Sequence, residues 1–196
     1  HEFNFGLDFL EAAISGANFP YINANVYHHD GDNDAANDVN RYDPFYIQDK
    51  QVVDINGNAQ TIKIGYIGFT PPQVMQWDKS NLEGHVIVKD IVQSAEKFVP
   101  QMIAAGADVI IAIPHSGLTA SAREDLAENS ALYLSEVESI DAILFGHNHR
   151  IFPGDPAYND LDAAGIDNIN GTLNGVAAVM PGFFGNHLGV IDLLLQ

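Results

Sequence analysis

The chain has 196 residues, 46% of them hydrophobic, and carries 26 Asp and Glu against 8 Lys and Arg, for a formal charge of −18. That field repels nucleic-acid backbones and anionic lipid surfaces, which excludes a polymeric nucleic-acid partner and gives no footing on a membrane, and no apolar run reaches the roughly 18 residues of a bilayer span. Cysteine is absent, so disulfides, thiolate nucleophiles and Cys-type zinc sites are excluded together, and any metal must rest on His, Asn, Asp or Glu.

In chain order, HEFNFG leads into LDFLEAAISGA, whose apolar spacing predicts a helix over residues 7–17 that stops near Gly16. PYINANVY, residues 20–27, is rich in aromatic and β-branched residues and predicts a strand. Residues 28–43 are acidic and turn-rich without apolar periodicity, which predicts a surface loop and the segment most prone to disorder. FYIQDK, QVVDI and TIKIGYIGFT predict strands, the last two joined as a hairpin through Asn56-Gly57. Pro71-Pro72 ends that sheet segment. A helical pattern then runs over residues 89–105, with Pro100 expected to kink or split it and Gly106 to close it. DVIIAIP and DAILFG are nearly continuous apolar runs, as expected of strands buried on both faces. Residues 121–138 between them predict a helix, and VAAVMP and LGVIDLLL predict two further strands. Helices alternating with buried strands define a mixed α/β class, in one domain without repeat or linker.

Three histidines stand directly after the two apolar runs: His115 in VIIAIPHSG, and His147 and His149 in AILFGHNH. In open α/β folds ligands bind beyond the carboxyl ends of the strands, so both segments bring imidazoles to one rim. On a regular strand His147 and His149 would share a face, whereas on a turn after Gly146 their rings can diverge toward two neighbouring metal ions. A lone histidine at a strand end is more often a hydrogen-bonding surface residue; the combination of three favours a metal site.

HEFNFG, IPHSG, FGHNH and PGFFGNHLGVIDL resemble the successive motifs of calcineurin-like metallophosphoesterases of the 5′-nucleotidase superfamily. Within it, TPPQVMQWDK, AENSALYLSE and GTLNGVAAVMPG are similar to segments of the bacterial bifunctional 2′,3′-cyclic-nucleotide 2′-phosphodiesterase/3′-nucleotidases. The resemblance implies an α/β fold of two facing sheets flanked by helices, and two-metal hydrolysis of a phosphoester. His1 then matches the catalytic histidine of a GNHE motif, His115 and His147 match ligands of one metal, and His149 a ligand of the other. Imidazole suits Zn, Mn, Fe, Co or Ni without distinguishing them. Bound cations would also explain how a protein of charge −18 attracts a phosphate. Asn4 stands where many nucleotidases of the superfamily have an aspartate beside the catalytic histidine. Its carbonyl accepts a hydrogen bond but cannot stabilise an imidazolium by charge.

The resemblance further implies a DxH motif, a bridging aspartate and the asparagine of GNHE upstream of His1, and a nucleobase-stacking domain downstream. The expectation is therefore the carboxyl-terminal part of a single metallophosphoesterase domain over residues 1–196, without its amino-terminal strands. Alone it is expected to bind metal weakly or with partial occupancy, to lack activity, and to self-associate or pair with a companion segment. The full protein is expected to act on a small nucleotide in the periplasm or outside the cell. A 5′-nucleotidase or UDP-sugar hydrolase, and a non-catalytic metal-binding module of the same fold, are the alternatives.

Other polar candidates are weaker. His28-His29 with Asp30, Asp32 and Asp34 lacks a full calcium-loop pattern and reads as solvated surface, and His85 reads as exposed. His187 is either a turn residue or a second contact at the rim, Phe183 and Phe184 are packing residues more than a base platform, and Trp77 is expected to pack on the domain.

Overall fold

The structure, a computed structural model, describes residues 2–32 and 34–195. A 3₁₀ turn over Glu2–Phe5 leads into α1, Leu7–Ser15, and the short strand β1, Val26–His28. A long hairpin follows, β2 (Phe45–Val53) and β3 (Ala59–Phe69). Two single-turn helices, α2 (Val74–Trp77) and α3 (Lys79–Leu82), precede β4 (Val86–Val88) and the main helix α4 (Ile91–Ala104). The second half holds β5 (Val109–Pro114), α5 (Ala131–Leu134), β6 (Ala142–Leu144) and β7 (Ile151–Phe152). It ends with β8 (Ile166–Asp167), β9 (Thr172–Leu173) and β10 (Val176–Pro181).

The expected mixed α/β class is what the structure shows. One sheet runs β2-β3-β5-β6-β10-β9-β8, with β7 also paired to β10, and β1 and β4 form a separate antiparallel ribbon. Its centre, β3-β5-β6-β10, is parallel, in register Ile67↔Ala112, Ala112↔Ile143 and Ala178↔Ile143. Parallel strands covered on both faces need side chains apolar on both sides, which is why DVIIAIP and DAILFG read as unbroken runs. Ile67, Ile110, Ile143 and Met180 are buried with Ile91, Ala95, Phe98 and Met102 of α4 in the main core. A smaller cluster of Phe3, Leu10, Val26, Val74, Leu82 and Val86 ties the first residues to α2, α3 and the ribbon.

Several expectations are corrected. FYIQDK and QVVDI are one strand, β2, and the turn closes on Asp54, whose Oδ1 accepts from Asn56 N and Asn58 N while Gly57 takes φ +85°. The strand expected over 20–27 shrinks to Val26–His28. Before it Asn23 Oδ1 accepts from Asn25 N and Val26 N, and Asn25 Nδ2 donates to Thr70 O and Lys89 O, so side chains replace the ladder. α4 starts at Ile91, where the Asp90 carboxylate accepts from Gln93 N, and Pro100 does not split it.

The helix expected over 121–138 is reduced to Ala131–Leu134. Side chains from elsewhere take the backbone groups a helix would use. Asp90 Oδ2 accepts from Leu126 N at 2.8 Å, Gln73 Nε2 donates to Leu126 O, Ser116 Oγ donates to Glu128 O and accepts from Ser130 N, and Tyr133 Oη donates to Ser121 O. LGVIDLLL forms no strand among the described residues; Leu188 and Leu194 are exposed, and Gly189 lies against Val179 of β10. Apolar content alone does not make a strand without a backbone partner. Of the loop expected over residues 28–43, His28 ends β1, and residues 29–32 and 34–43 form no helix or strand, with successive turns on Asp30, Asp32 and Asp34. No helix among the described residues is long and apolar enough to cross a membrane.

Ile143 sits at the centre of the parallel strands with no exposed surface. Ile143→Ala is expected to cost about 2–5 kcal/mol in a denaturant titration, and a loss under about 1 kcal/mol would contradict this placement of the core.

Candidate active site

The carboxyl ends of β5 and β6 open on one cavity of about 270 Å³. His115, His147 and His149 line it together with Glu2, Trp77 and Asp78. His115 is the first residue past β5, its N–H donating to Phe69 O at 2.9 Å as the last rung of the parallel ladder. His147 and His149 follow β6 across Phe145-Gly146, and both take left-handed φ, +72° and +58°. That conformation costs a non-glycine residue about 1–2 kcal/mol, and it breaks the strand alternation that would have put both rings on one face.

Asn148, between the two histidines, locks this turn. Its Oδ1 accepts from Leu118 N at 2.6 Å and its Nδ2 donates to Asn129 Oδ1 at 3.1 Å. Gly117 makes room: a Cβ there would stand 1.9 Å from Asn148 Oδ1 and 2.2 Å from Asn129 Oδ1. The HSG, AENS and GHNH segments are thereby one interlocked unit.

The rings of His115 and His147 meet edge to face with centroids 5.2 Å apart. Burial first, and then the neighbouring His147, push the His115 pKa below its ordinary value of 6.5, which keeps the ring neutral and its lone pair available. Trp77 stacks on His147 at 5.5 Å and 27°, and Phe183 on His149 at 5.3 Å and 26°. His147 Nε2 lies 2.6 Å from Glu128 Oε1. On the amino-terminal side Asn4 Nδ2 donates to Asp78 Oδ1 at 2.8 Å, and Asn81 Nδ2 donates to Phe3 O and Asn4 O, so α3 and the residue before it clamp the Glu2–Phe5 turn.

The structure therefore brings His115, His147, His149 and the Glu2–Phe5 turn around one cavity. His1 lies outside the described residues. Among the described residues no group of three His, Asp or Glu side chains is arranged to hold one metal ion. His187 is exposed and bonded through Nδ1 to Asn186 Oδ1, and His28 contacts Arg41 in the surface loop. Trp77, Asp78 and Glu128 are the site residues sequence reading missed. Trp77 is half exposed at the cavity rim instead of being packed away, and a lone tryptophan next to an acidic residue after a Pro-Pro break was the only signal available.

Residues 7–150 match the model of the calcineurin-like phosphoesterases, and the chain belongs to that family. It is 52% identical over its whole length to the 2′,3′-cyclic-nucleotide 2′-phosphodiesterase/3′-nucleotidase of Salmonella typhimurium, covering 29% of that protein. It is 49% identical over 200 aligned positions to the trifunctional nucleotide phosphoesterase YfkN of Bacillus subtilis, covering 13% of it. The solved structure of the calcineurin-like phosphoesterase YfkN superposes with a TM-score of 0.84 at 48% identity, over 93% of this chain and 52% of that one. The chain thus spans under a third of the length of these curated relatives.

Two outcomes follow from the geometry. Gly117→Ala forces Asn148 or Asn129 aside and is expected to cost about 1–3 kcal/mol while shifting the ring resonances of His147 and His149; unchanged resonances would contradict the interlock. Because the folded pKa of His115 is depressed below 6.5, its contribution to stability is present above that pH and lost as pH falls below it. An NMR titration of the metal-free chain should place the His115 midpoint below 6.5, and a midpoint above it would contradict the burial.

Proposed function

We propose that this chain contributes the histidine side of a two-metal active site that hydrolyses 2′,3′-cyclic nucleotides and 3′-nucleotides. The observation that carries the reading is the convergence of His115, His147 and His149 on one cavity at the strand ends. The substrate class rests on relatives 45–52% identical over 98–100% of the chain that bear that activity in their names. His115 and His147 would hold one ion and His149 the other.

The donor set suits a first-row divalent metal, being imidazole without thiolate, with His115 kept neutral. Three imidazoles do not complete two catalytic sites at three protein ligands each. We therefore propose weak or partial metal occupancy and no turnover for the 196-residue chain alone, with further ligands supplied from outside it. Bound metal would polarise the phosphoryl oxygens and acidify an attacking water. His1, which precedes the clamped Glu2–Phe5 turn in sequence, would protonate the departing sugar oxygen, with Asn4 in a supporting role. Trp77 and Phe183 wall the imidazoles of His147 and His149 on one face each, limiting ring rotation and water access. Within the same reading the residues form the carboxyl-terminal part of a single metallophosphoesterase domain, in a periplasmic or secreted protein whose partners are the remaining segments and a small nucleotide.

Metal content by mass spectrometry and turnover of a chromogenic phosphodiester test the isolated chain; substoichiometric metal and no turnover are expected, and brisk turnover would overturn the inactivity. In a protein of the relatives' length carrying this sequence, 2′,3′-cyclic AMP should be preferred over 5′-AMP. There His1→Ala should lower kcat by about 10²–10⁴-fold with KM little changed. A preference for 5′-AMP would reverse the substrate assignment in favour of a 5′-nucleotidase.

A further inference from the structure

We infer that Glu128 is a positioning residue for His147: its carboxylate holds Nε2 from behind the ring and leaves Nδ1 as the nitrogen that faces the reaction. The inference deepens the proposed metal site and rests on that reading for its purpose, though not for its geometry.

Residues 121–130, SAREDLAENS, are largely helix formers, and the sequence predicts a helix there. The structure abandons it. Leu126 takes φ +57°, and side chains of Gln73, Asp90, Ser116 and Tyr133 capture the backbone instead. Leu126 is half exposed and residues 121–126 are all exposed, so hydrophobic burial does not account for the conformation. What it delivers is the pair Glu128 and Asn129, one bonded to His147 and the other to Asn148.

Two features place Glu128 outside the reacting cavity. It lines a different cleft, with Gln73, Ser121 and Tyr133, and is not among the residues lining the cavity of the three histidines. Its contact is to Nε2, at 2.6 Å. An ionised carboxylate only accepts, so Nε2 must carry the proton, and in a neutral ring Nδ1 then holds the lone pair. Trp77 against one face of the ring and Glu128 at its edge restrain the orientation of His147. A carboxylate on the far nitrogen of a ligating histidine fixes its tautomer and raises its basicity, and losing such a partner weakens metal binding by about 10–100-fold.

The test uses the 196-residue chain with its histidines ¹⁵N-labelled, first without metal. Two-bond ¹H–¹⁵N spectra should show His147 with a protonated Nε2 and a lone-pair Nδ1. Glu128→Gln, whose amide oxygen still accepts, should keep that pattern, Glu128→Asp should retain it in part, and Glu128→Ala should average the two nitrogens. A His147 pattern in Glu128→Ala identical to wild type would overturn the inference. Calorimetric titration with Mn²⁺ or Zn²⁺ should then show affinity reduced about 10–100-fold in Glu128→Ala and within about 3-fold of wild type in Glu128→Gln. Equal affinity of wild type and Glu128→Ala would also overturn it. No uptake by the wild-type chain would count against the metal reading alone, because the ring spectra decide Glu128 without a metal.

Discussion

Three loops that are far apart in sequence close on one another at Gly117, where the absence of a side chain lets Asn148 and Asn129 approach the backbone. The turn that carries His147 and His149 is held by that contact. Asn148 can bond Leu118 only if the residues on either side of it turn back sharply, and His147 and His149 accordingly sit in left-handed conformations. Strain of this kind persists only where the surroundings over-determine it, and here the hydrogen bonds of Asn148 and the ring contacts of both histidines do so. The parallel ladder sets the position from below: with Ile111 paired to Ala142 and Ala112 to Ile143, β5 and β6 end within one residue of each other.

Charge is arranged with equal economy. The protein as a whole is strongly acidic, yet two carboxylates at the site, Asp78 and Glu128, are each engaged by a side chain, Asn4 and His147. Asn4 Nδ2 donates to Asp78 Oδ1, so that carboxylate polarises the amide.

The sheet was legible in the sequence because parallel strands must be apolar on both faces, so VIIAIP and AILF could be read directly, and because Asn56-Gly57 marks its hairpin. The histidines were legible for the same reason, being the first polar residues past those runs. The segment over 121–130 was not. Its local preference is helical, and what overrides it are hydrogen bonds from Gln73, Asp90 and Ser116, whose distance along the chain no periodicity reveals. Glu128 and Trp77 were missed with it, since their roles exist only once β6 brings His147 between them. LGVIDLLL carries a strand composition without a ladder among the described residues, and composition cannot report a partner.

The central claim is that His115, His147 and His149 serve one metal-dependent centre. Anomalous diffraction from crystals of the chain equilibrated with Mn²⁺ or Zn²⁺ tests it most directly. The account predicts a metal peak within bonding distance of His115 and His147, on the cavity side of both rings and at Nδ1 of His147. A peak elsewhere, or a fully loaded chain with none of the three imidazoles bonded to metal, would contradict it.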